Sequence, residues 1–357
     1  MDNKLIFVIN PGSTSTKVAV FENETCLFKE NIIHSTEELS QFNNLIEQYP
    51  YRKKILLNKL NEKGFSLHQF SGIASRGGGL KPLPSGVYAI NELMISDLKT
   101  CKYLTHASNL GGLIAKDLSQ EFSLPSFIAD PVTVDELAPL ARYSGLKGVE
   151  RASIWHALNQ KFIARKAANH LGKKYEESNL IVIHMGGGIS VGAHQLGQVV
   201  DVNNALNGDG PFSAERSGSL PTGQLAKLCF SGEFNKEEMK KKLAGKGGMV
   251  SHLGTNNAKE VEDKAEMGDE DCLFITHAMI YQIAKTIGEM SAVLCGKVDA
   301  VVFTGGMAYS KMIIKQIEDY ISFIAPILVY PGEDEMEALA INVFRVLIGQ
   351  IEAKKYV

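Results

Sequence analysis

The stretch Leu5–Phe21 (LIFVINPGSTSTKVAVF) constrains the fold of this chain more than any other. Its β-branched and aromatic runs, Leu5–Ile9 and Val18–Phe21, predict two strands, and Asn10-Pro11-Gly12 predicts the turn that joins them. The loop carries consecutive hydroxyls from Ser13 to Thr16 and ends on Lys17. A hairpin tip offering backbone N–H groups, hydroxyls and an ammonium suits phosphate oxygens, which accept hydrogen bonds. The same plan returns further on, as strand Leu180–His184, loop Met185-Gly186-Gly187-Gly188, strand Ile189–His194, turn Gln195–Gly197 and strand Gln198–Val202. Another apolar strand, Ala300–Phe303, runs into Thr304-Gly305-Gly306. The halves match in pattern rather than identity, which predicts a duplicated α/β architecture.

Between these landmarks the chain alternates helix and strand. Thr25–Ile33 supplies a third strand, and Ser35 with Glu38 has capping-box spacing at the head of a helical region reaching about Gly64. Ser71–Ser75 is a short buried strand that delivers Arg76 and the run Gly77-Gly78-Gly79, and Pro82, Pro84 and Gly86 make the next stretch a loop. Helices are predicted over Asn91–Lys102 and Ser108–Phe122, and a strand over Pro125–Ala129 ends at Asp130-Pro131, where the proline disfavours helix. Further helices are expected over Ser153–Leu171, Gln224–Phe230, Lys236–Ala244, Ala258–Glu266, Glu270–Cys295, Tyr309–Ile324 and Glu335–Ala353, with a last strand at Leu328–Tyr330.

At 357 residues the chain is long for a single core. A net charge of −3 leaves no basic footprint for nucleic acid or an acidic membrane surface. The five cysteines are scattered without a C-x-x-C pair, which argues against a disulfide framework or a structural zinc and fits a reducing cytoplasm. The first apolar run lacks the basic flank and cleavage site of a signal peptide, and no apolar run approaches membrane-spanning length. A cytoplasmic globular protein is expected.

The glycine loops fit neither common nucleotide fingerprint. No Gly-x4-Gly-Lys-Ser/Thr occurs, and Val191 stands where a dinucleotide-binding loop needs its third glycine. The segment after Gly188 also reads as strand rather than helix, which counts against a dehydrogenase. Phosphate-suited loops opening two similar halves point instead to the folds in which actin, the 70-kDa chaperones and sugar or carboxylate kinases grip ATP. A nucleotide-driven binding module of the actin kind is the non-enzymatic alternative, and it leaves Arg76 and Arg216 without a purpose.

A narrower resemblance rests on the segments Asn10–Lys17, Arg76–Gly79, Ala129–Asp135, Ile154–Asn159, His184–Gly188, Asn207–Phe212 with Glu215–Gly218, and Phe303–Gly306. Taken together and in this order, across nearly the whole chain, they resemble the butyrate kinases of the acetate kinase group. The resemblance implies two duplicated ribonuclease-H-like (actin-type ATPase) domains with an active-site cleft between them. Residues 1–150 with about 336–357 would form an N-terminal acyl-kinase domain, and 151–335 a C-terminal nucleotide-binding and dimerisation domain. It further implies reversible, direct in-line phosphoryl transfer between ATP and a short-chain carboxylate, with Mg²⁺ on the nucleotide, in a homodimer with no nucleic-acid or membrane partner. Butanoate is the expected acceptor, with branched short-chain acids as the alternative.

On the matching positions, Arg76 and Arg216 are the expected active-site arginines, since a guanidinium holds a carboxylate or a transferring phosphoryl bidentately. His156 would donate an N–H to the phosphoryl in flight, and His106 matches a second family histidine. Asp130 would orient the substrate or bind hydrated Mg²⁺. Asn10 and Glu335 would meet Mg²⁺ or its waters, although Glu333, Asp334, Glu335 and Glu337 crowd one helix start. Ser13, Ser15, Lys17, Gly186, Gly187, Gly188, Gly305 and Gly306 would approach the nucleotide. Asn257 and Lys259 stand where acetate kinases carry the Asp and Arg that contact ribose and adenine. Gly77–Gly79 replace valines that help close a methyl-sized pocket, so their small size is expected to admit a longer acyl tail at about 0.8 kcal/mol per buried methylene. Trp155 either walls that pocket or packs in the core.

Overall fold

The computed structural model describes residues 3–357. They form two compact units, one of residues up to Val134 together with Asp334–Val357, the other Asp135–Glu333. The chain thus crosses at Val134, earlier than the expected position near 150, and returns one residue before Glu335, which places that acid in the first unit.

The first unit is built on a 7-stranded sheet of β1 (Leu5–Pro11), β2 (Ser15–Glu22), β3 (Thr25–Ile33), β4 (Gly72–Arg76), β5 (Val87–Ala89), β6 (Ser126–Ala129) and β12 (Lys354–Lys355), ordered β12-β5-β6-β4-β1-β2-β3. The second carries a 5-stranded sheet of β7 (Asn179–Met185), β8 (Ile189–Gln195), β9 (Gln198–Val202), β10 (Ala300–Gly305) and β11 (Ile327–Pro331), ordered β11-β10-β7-β8-β9. The run β6-β4-β1-β2-β3 and the whole second sheet share both order and direction. In each, an antiparallel meander supplies the first three strands, and two strands parallel to its first strand extend the sheet. The duplication read from the sequence is therefore a duplication of topology.

Strand periodicity explains how each sheet is covered. Along β7, Ile181 and Ile183 face a core shared with Met279, Ile283 and Ile287 of the helix Glu270–Val293. Leu180 and Val182 face the opposite side, against Ile163 and Ala167 of the helix Ala157–His170. In the first unit, Phe7 and Ile9 pack with Leu56 and Leu60 of the helix Tyr49–Glu62 and Leu110 and Ile114 of the helix Asn109–Phe122.

Several boundaries differ from expectation, each for a local reason. The Ser35–Glu38 capping box forms, but it heads only the short helix Thr36–Ser40, and a separate helix starts at Tyr49 with a proline in its first turn. The helix expected from Ser153 starts at Ala157, and the last helix ends at Leu347, just before Gly349 turns left-handed at φ +72°. Strands β5 and β12 and the helix Gly248–Leu253 were not foreseen, being too short for a periodic signal. Among the described residues no helix is long and apolar enough to cross a membrane.

The hydroxyl loop is narrower than predicted, because β1 continues to Pro11 and β2 begins at Ser15. It is held from beneath by Arg52, a fully buried side chain. Its Nη1 donates to the carbonyls of Gly12 (2.7 Å) and Ser15 (3.1 Å) and to Thr16 Oγ1 (3.1 Å). Its Nη2 donates to the Ser13 carbonyl at 3.0 Å. With those carbonyls turned inward, Ser13 and Thr14 remain exposed at the tip. Replacing Arg52 by Met strands the Gly12 and Ser13 carbonyls, each worth about 1–3 kcal/mol when buried unpaired, whereas the Ser15 carbonyl keeps the Gly12 N–H at 2.7 Å. Arg52→Met is therefore expected to lower the denaturant midpoint clearly and Arg52→Lys less so; an unchanged midpoint for Arg52→Met would contradict this role.

Candidate active site

In the first unit the chemistry gathers at the C-terminal ends of β1, β4 and β6, where open α/β sheets commonly bind ligands. Asn10 lies near the end of β1, Arg76 closes β4, and Asp130 follows β6. Glu335, the first residue of the helix Glu335–Leu347, completes the group. Its carboxylate accepts from Arg76 Nη1 on both oxygens, at 2.8 and 2.9 Å, and from Asn10 Nδ2 at 2.7 Å. Of the acids crowded at this helix start, only Glu335 is buried.

Asp130 is buried and adopts φ +39°, a left-handed conformation that costs a non-glycine residue about 1–3 kcal/mol. The proline at 131 excluded ordinary helix here, as expected, but the outcome is this turn rather than extended backbone. The Asp130 carboxylate accepts from Ser85 Oγ (2.6 Å) and from the Gly86 N–H (2.8 Å), and its own N–H donates to the Gly86 carbonyl (3.0 Å). His106 accepts at Nδ1 from the Ser108 N–H (3.2 Å), and Ser108 Oγ lies 2.7 Å from the same nitrogen, so the neutral ring carries its proton on Nε2. Lys17 sits on β2 directly opposite Asn10, at the same end of the sheet as the hydroxyl loop.

The glycine run after Arg76 does not open a pocket. A Cβ on Gly77 would lie 2.7 Å from Pro131, one on Gly78 2.0 Å from Asn109 Oδ1, and one on Gly79 2.3 Å from Leu104. The volume that side chains would occupy is already filled by neighbours, so these glycines permit close packing of the loop. The expectation that they admit a longer acyl tail is corrected accordingly. Trp155, the other residue considered for the pocket wall, is buried and meets His194 edge-on at 6.2 Å; it packs in the core.

In the second unit, His156 precedes the helix Ala157–His170 and stacks on His184 with ring centres 3.9 Å apart. Its Nδ1 lies 2.8 Å from Ser190 Oγ. His184 Nδ1 bonds Asn159 Oδ1 at 2.7 Å, and Asn159 Nδ2 donates to the Glu333 carbonyl at 2.6 Å. The loop Gly186–Gly188 follows β7, and Arg216 passes so close to Gly188 that a Cβ there would lie 1.9 Å from Nη1. Arg216 Nη1 donates to the Ala205 carbonyl, and burial lowers its pKa while Glu215 opposes the shift. Gly305 is required twice over, by φ +91° and by the Met185 carbonyl 2.4 Å from where its Cβ would be.

A cavity of about 700 Å³ in the second unit is lined by Gly186, Gly187, Gly306, Asn256 and Lys259, among others. That volume suits a mononucleotide. Asn257, expected at the ribose, instead caps the helix Ala258–Glu266 through a bond from the Glu260 N–H (3.2 Å), and its neighbour Asn256 lines the cavity. Lys259 pairs with Glu262 and Asp263.

No cluster of three or more His, Cys, Asp or Glu side chains suited to a metal occurs among the described residues. The donors Asn10 and Glu335 are oxygen-bearing and few, which fits a hard cation that keeps most of its waters and phosphate ligands. The residues that sequence reasoning missed are those acting from behind, Arg52, Ser85 and Ser190. Their partners lie far away in the chain, so no local pattern marks them.

The corrected glycine reading has a direct test. Gly78→Ala is expected to destabilise the protein by about 1–3 kcal/mol through overpacking while leaving the ratio of kcat/KM between acetate and butanoate unchanged. An altered ratio at unchanged stability would restore the pocket-opening account.

A sequence model of the Acetokinase family matches residues 142–324. Among solved structures, the chain is similar to the acetate kinase of Porphyromonas gingivalis at a TM-score of 0.79 and 18% identity, covering 95% of this chain and 99% of that one. It is also similar to a propionate kinase from Francisella tularensis subsp. tularensis SCHU S4, at a TM-score of 0.76 and 19% identity, covering 95% and 98%. The acetate kinase of Entamoeba histolytica matches at 0.75 and 17% identity, covering 94% and 98%. At these identities the structural likeness establishes the fold, two actin-type ATPase domains, and the family match establishes the chemistry: the chain belongs to the acetokinase family, ATP-using phosphotransferases whose acceptor is a carboxyl group.

Proposed function

We propose that the chain transfers the γ-phosphoryl group of ATP reversibly to butanoate, giving butanoyl phosphate and ADP by direct in-line displacement. The observation that carries the proposal is Arg76 at the end of β4, pinned by a Glu335 carboxylate that Asn10 holds in turn. The chemical obstacle is charge, since an anionic carboxylate must approach an anionic γ-phosphate. A guanidinium has five donors, so Arg76 can keep Glu335 on Nη1 while it receives the acceptor carboxylate. Arg216 and the backbone of Gly186–Gly188 stabilise the transferring group, and His156 donates an N–H to one of its equatorial oxygens. No general base is needed, because the acceptor arrives ionised. Asp130, held by Ser85 and Gly86, orients the acceptor or a metal-bound water. Asn10 and Glu335 would hold Mg²⁺, which when bound neutralises phosphate charge. The nucleoside occupies the cavity beside Gly306 and Asn256.

Butanoate is chosen over acetate because the motif set as a whole resembles butyrate kinases. Isobutyrate and isovalerate are the second reading, since the same segments serve branched acids equally well. The second unit leaves Phe274 and Tyr281 exposed on the helix Glu270–Val293, which supports the further proposal that the protein acts as a homodimer.

A hydroxamate assay for acyl phosphate, run with Mg-ATP across linear and branched short-chain acids, is expected to give the highest kcat/KM for butanoate; an equal or higher value for acetate contradicts the assignment. Arg76→Ala and Arg216→Ala are each expected to lower kcat by at least about 10²–10³-fold with folding retained, and near wild-type kcat for both would defeat the mechanism. Glu335→Gln is expected to raise the Mg²⁺ concentration for half-maximal rate, and an unchanged Mg²⁺ dependence would remove Glu335 from that role.

A further inference from the structure

Behind His156 runs a line of buried hydrogen bonds that the reaction scheme does not use. Gln160 Nε2 donates to the Ser190 carbonyl at 2.9 Å and to Ser190 Oγ at 2.7 Å. Gln160 Oε1 lies 3.0 Å from His194 Nε2, and His194 Nδ1 lies 2.9 Å from the Tyr175 hydroxyl. Gln160, Ser190 and His194 are fully buried and Tyr175 nearly so.

The direction of each bond follows from one of them together with the need to pair the buried Ser190 proton. A backbone carbonyl can only accept, so the amide nitrogen of Gln160 must face Ser190 and its oxygen must face His194. His194 therefore donates from Nε2 and, being neutral, accepts at Nδ1 from Tyr175. Burial, reinforced by the nearby Lys161 and Arg165 cations, lowers the His194 pKa well below its usual value and keeps the ring neutral. At the other end, Ser190 Oγ accepts from Gln160, and its own buried proton has His156 Nδ1 as its acceptor. His156 is left with its proton on Nε2.

We propose that Gln160, Ser190, His194 and Tyr175 are positioning residues whose one-way hydrogen bonds lock His156 as the Nε2–H tautomer, so that it presents a donor rather than a lone pair to the transferring phosphoryl group. The inference rests on the reading of His156 given above. In the other tautomer a bare nitrogen would face phosphate oxygens, turning a stabilising contact into a repulsive one. The stacked neighbour is fixed independently. Asn159 donates to the Glu333 carbonyl and so offers only its oxygen to His184, which carries its proton on Nδ1. The charged and titratable groups around the line are His184 against the His156 ring, Lys161 and Arg165 over the Tyr175 ring, and Glu136 paired with Lys161.

Gln160→Glu tests the lock by reversing it. An ionised carboxylate only accepts, so Ser190 turns its proton towards the new side chain and His156 must donate from Nδ1. At neutral pH kcat is expected to fall by about 10²-fold with little change in KM for the carboxylate. Activity should recover as pH falls, because protonating either the introduced carboxylate or His156 restores the Nε2–H. Nitrogen-15 NMR of the imidazoles in the whole protein, with His156 assigned by its loss in His156→Gln, reads the tautomer without reference to activity. The expected result is Nε2–H in the wild type and Nδ1–H in Gln160→Glu. A wild-type His156 protonated on Nδ1 would overturn the lock, as would a kcat loss in Gln160→Glu that does not recover at lower pH. If Gln160→Glu fails to fold, Ser190→Ala takes its place, with a mixture of tautomers expected; a pure Nε2–H signal would then count against the proposal. Correct tautomers in a protein that forms no acyl phosphate would instead overturn the carboxylate-kinase reading.

Discussion

The ion pair between Arg76 and Glu335 is the contact on which the active end of the first unit depends. It joins the end of β4 to the start of a helix that arrives only after the chain has built the whole second unit. Glu335 is buried, and a buried carboxylate stripped of its partner is strongly destabilising, by about 3–5 kcal/mol in comparable cases. The pair therefore fixes where the returning helix begins, with Asp334 taking a left-handed turn at φ +41° to deliver it. It also fixes the guanidinium to which the proposed mechanism assigns the acceptor carboxylate. On the proposed mechanism the same bond serves fold and site, because the position of the Arg76 guanidinium is set by the requirement that the acid be neutralised.

Around this pair the polar groups are held before any ligand arrives. Asp130 is fastened by Ser85 and Gly86 in a conformation that only a fixed environment would sustain, His106 is oriented by Ser108, and the hydroxyl loop is pinned by Arg52. In the second unit His156, His184 and Arg216 are similarly anchored to Ser190, Asn159 and Ala205. Donors fixed in advance need no reorganisation when charge develops, which is where electrostatic stabilisation of a transition state gains most.

Much of this was legible in the sequence. Strand-forming runs around polar loops marked both hairpins, and residues at strand ends, Asn10, Arg76 and Asp130, stood where an α/β sheet presents ligands. What failed or was missed has a common cause. The glycine run after Arg76 was read by what it lacks, whereas the space is decided by Asn109, Leu104 and Pro131, which approach from distant segments. Arg52 looks like one more cation beside Lys53 and Lys54, and only tertiary structure turns it under the loop. The hydrogen-bonded line from Tyr175 to His156 alternates between two helical segments and a strand, so no spacing announces it. That Glu335 alone among its acidic neighbours is buried depends on tertiary packing, which the sequence does not carry.

On this reading the acids and imidazoles of the site orient groups, hold the metal or donate hydrogen bonds, and none accepts the phosphoryl group covalently. The most direct measurement is the stereochemical course of transfer from ATP made chiral at the γ-phosphorus with oxygen isotopes. A single in-line displacement inverts the configuration in the acyl phosphate, and inversion is the predicted result. Retention would mean two displacements through a phosphorylated side chain, and would contradict the account.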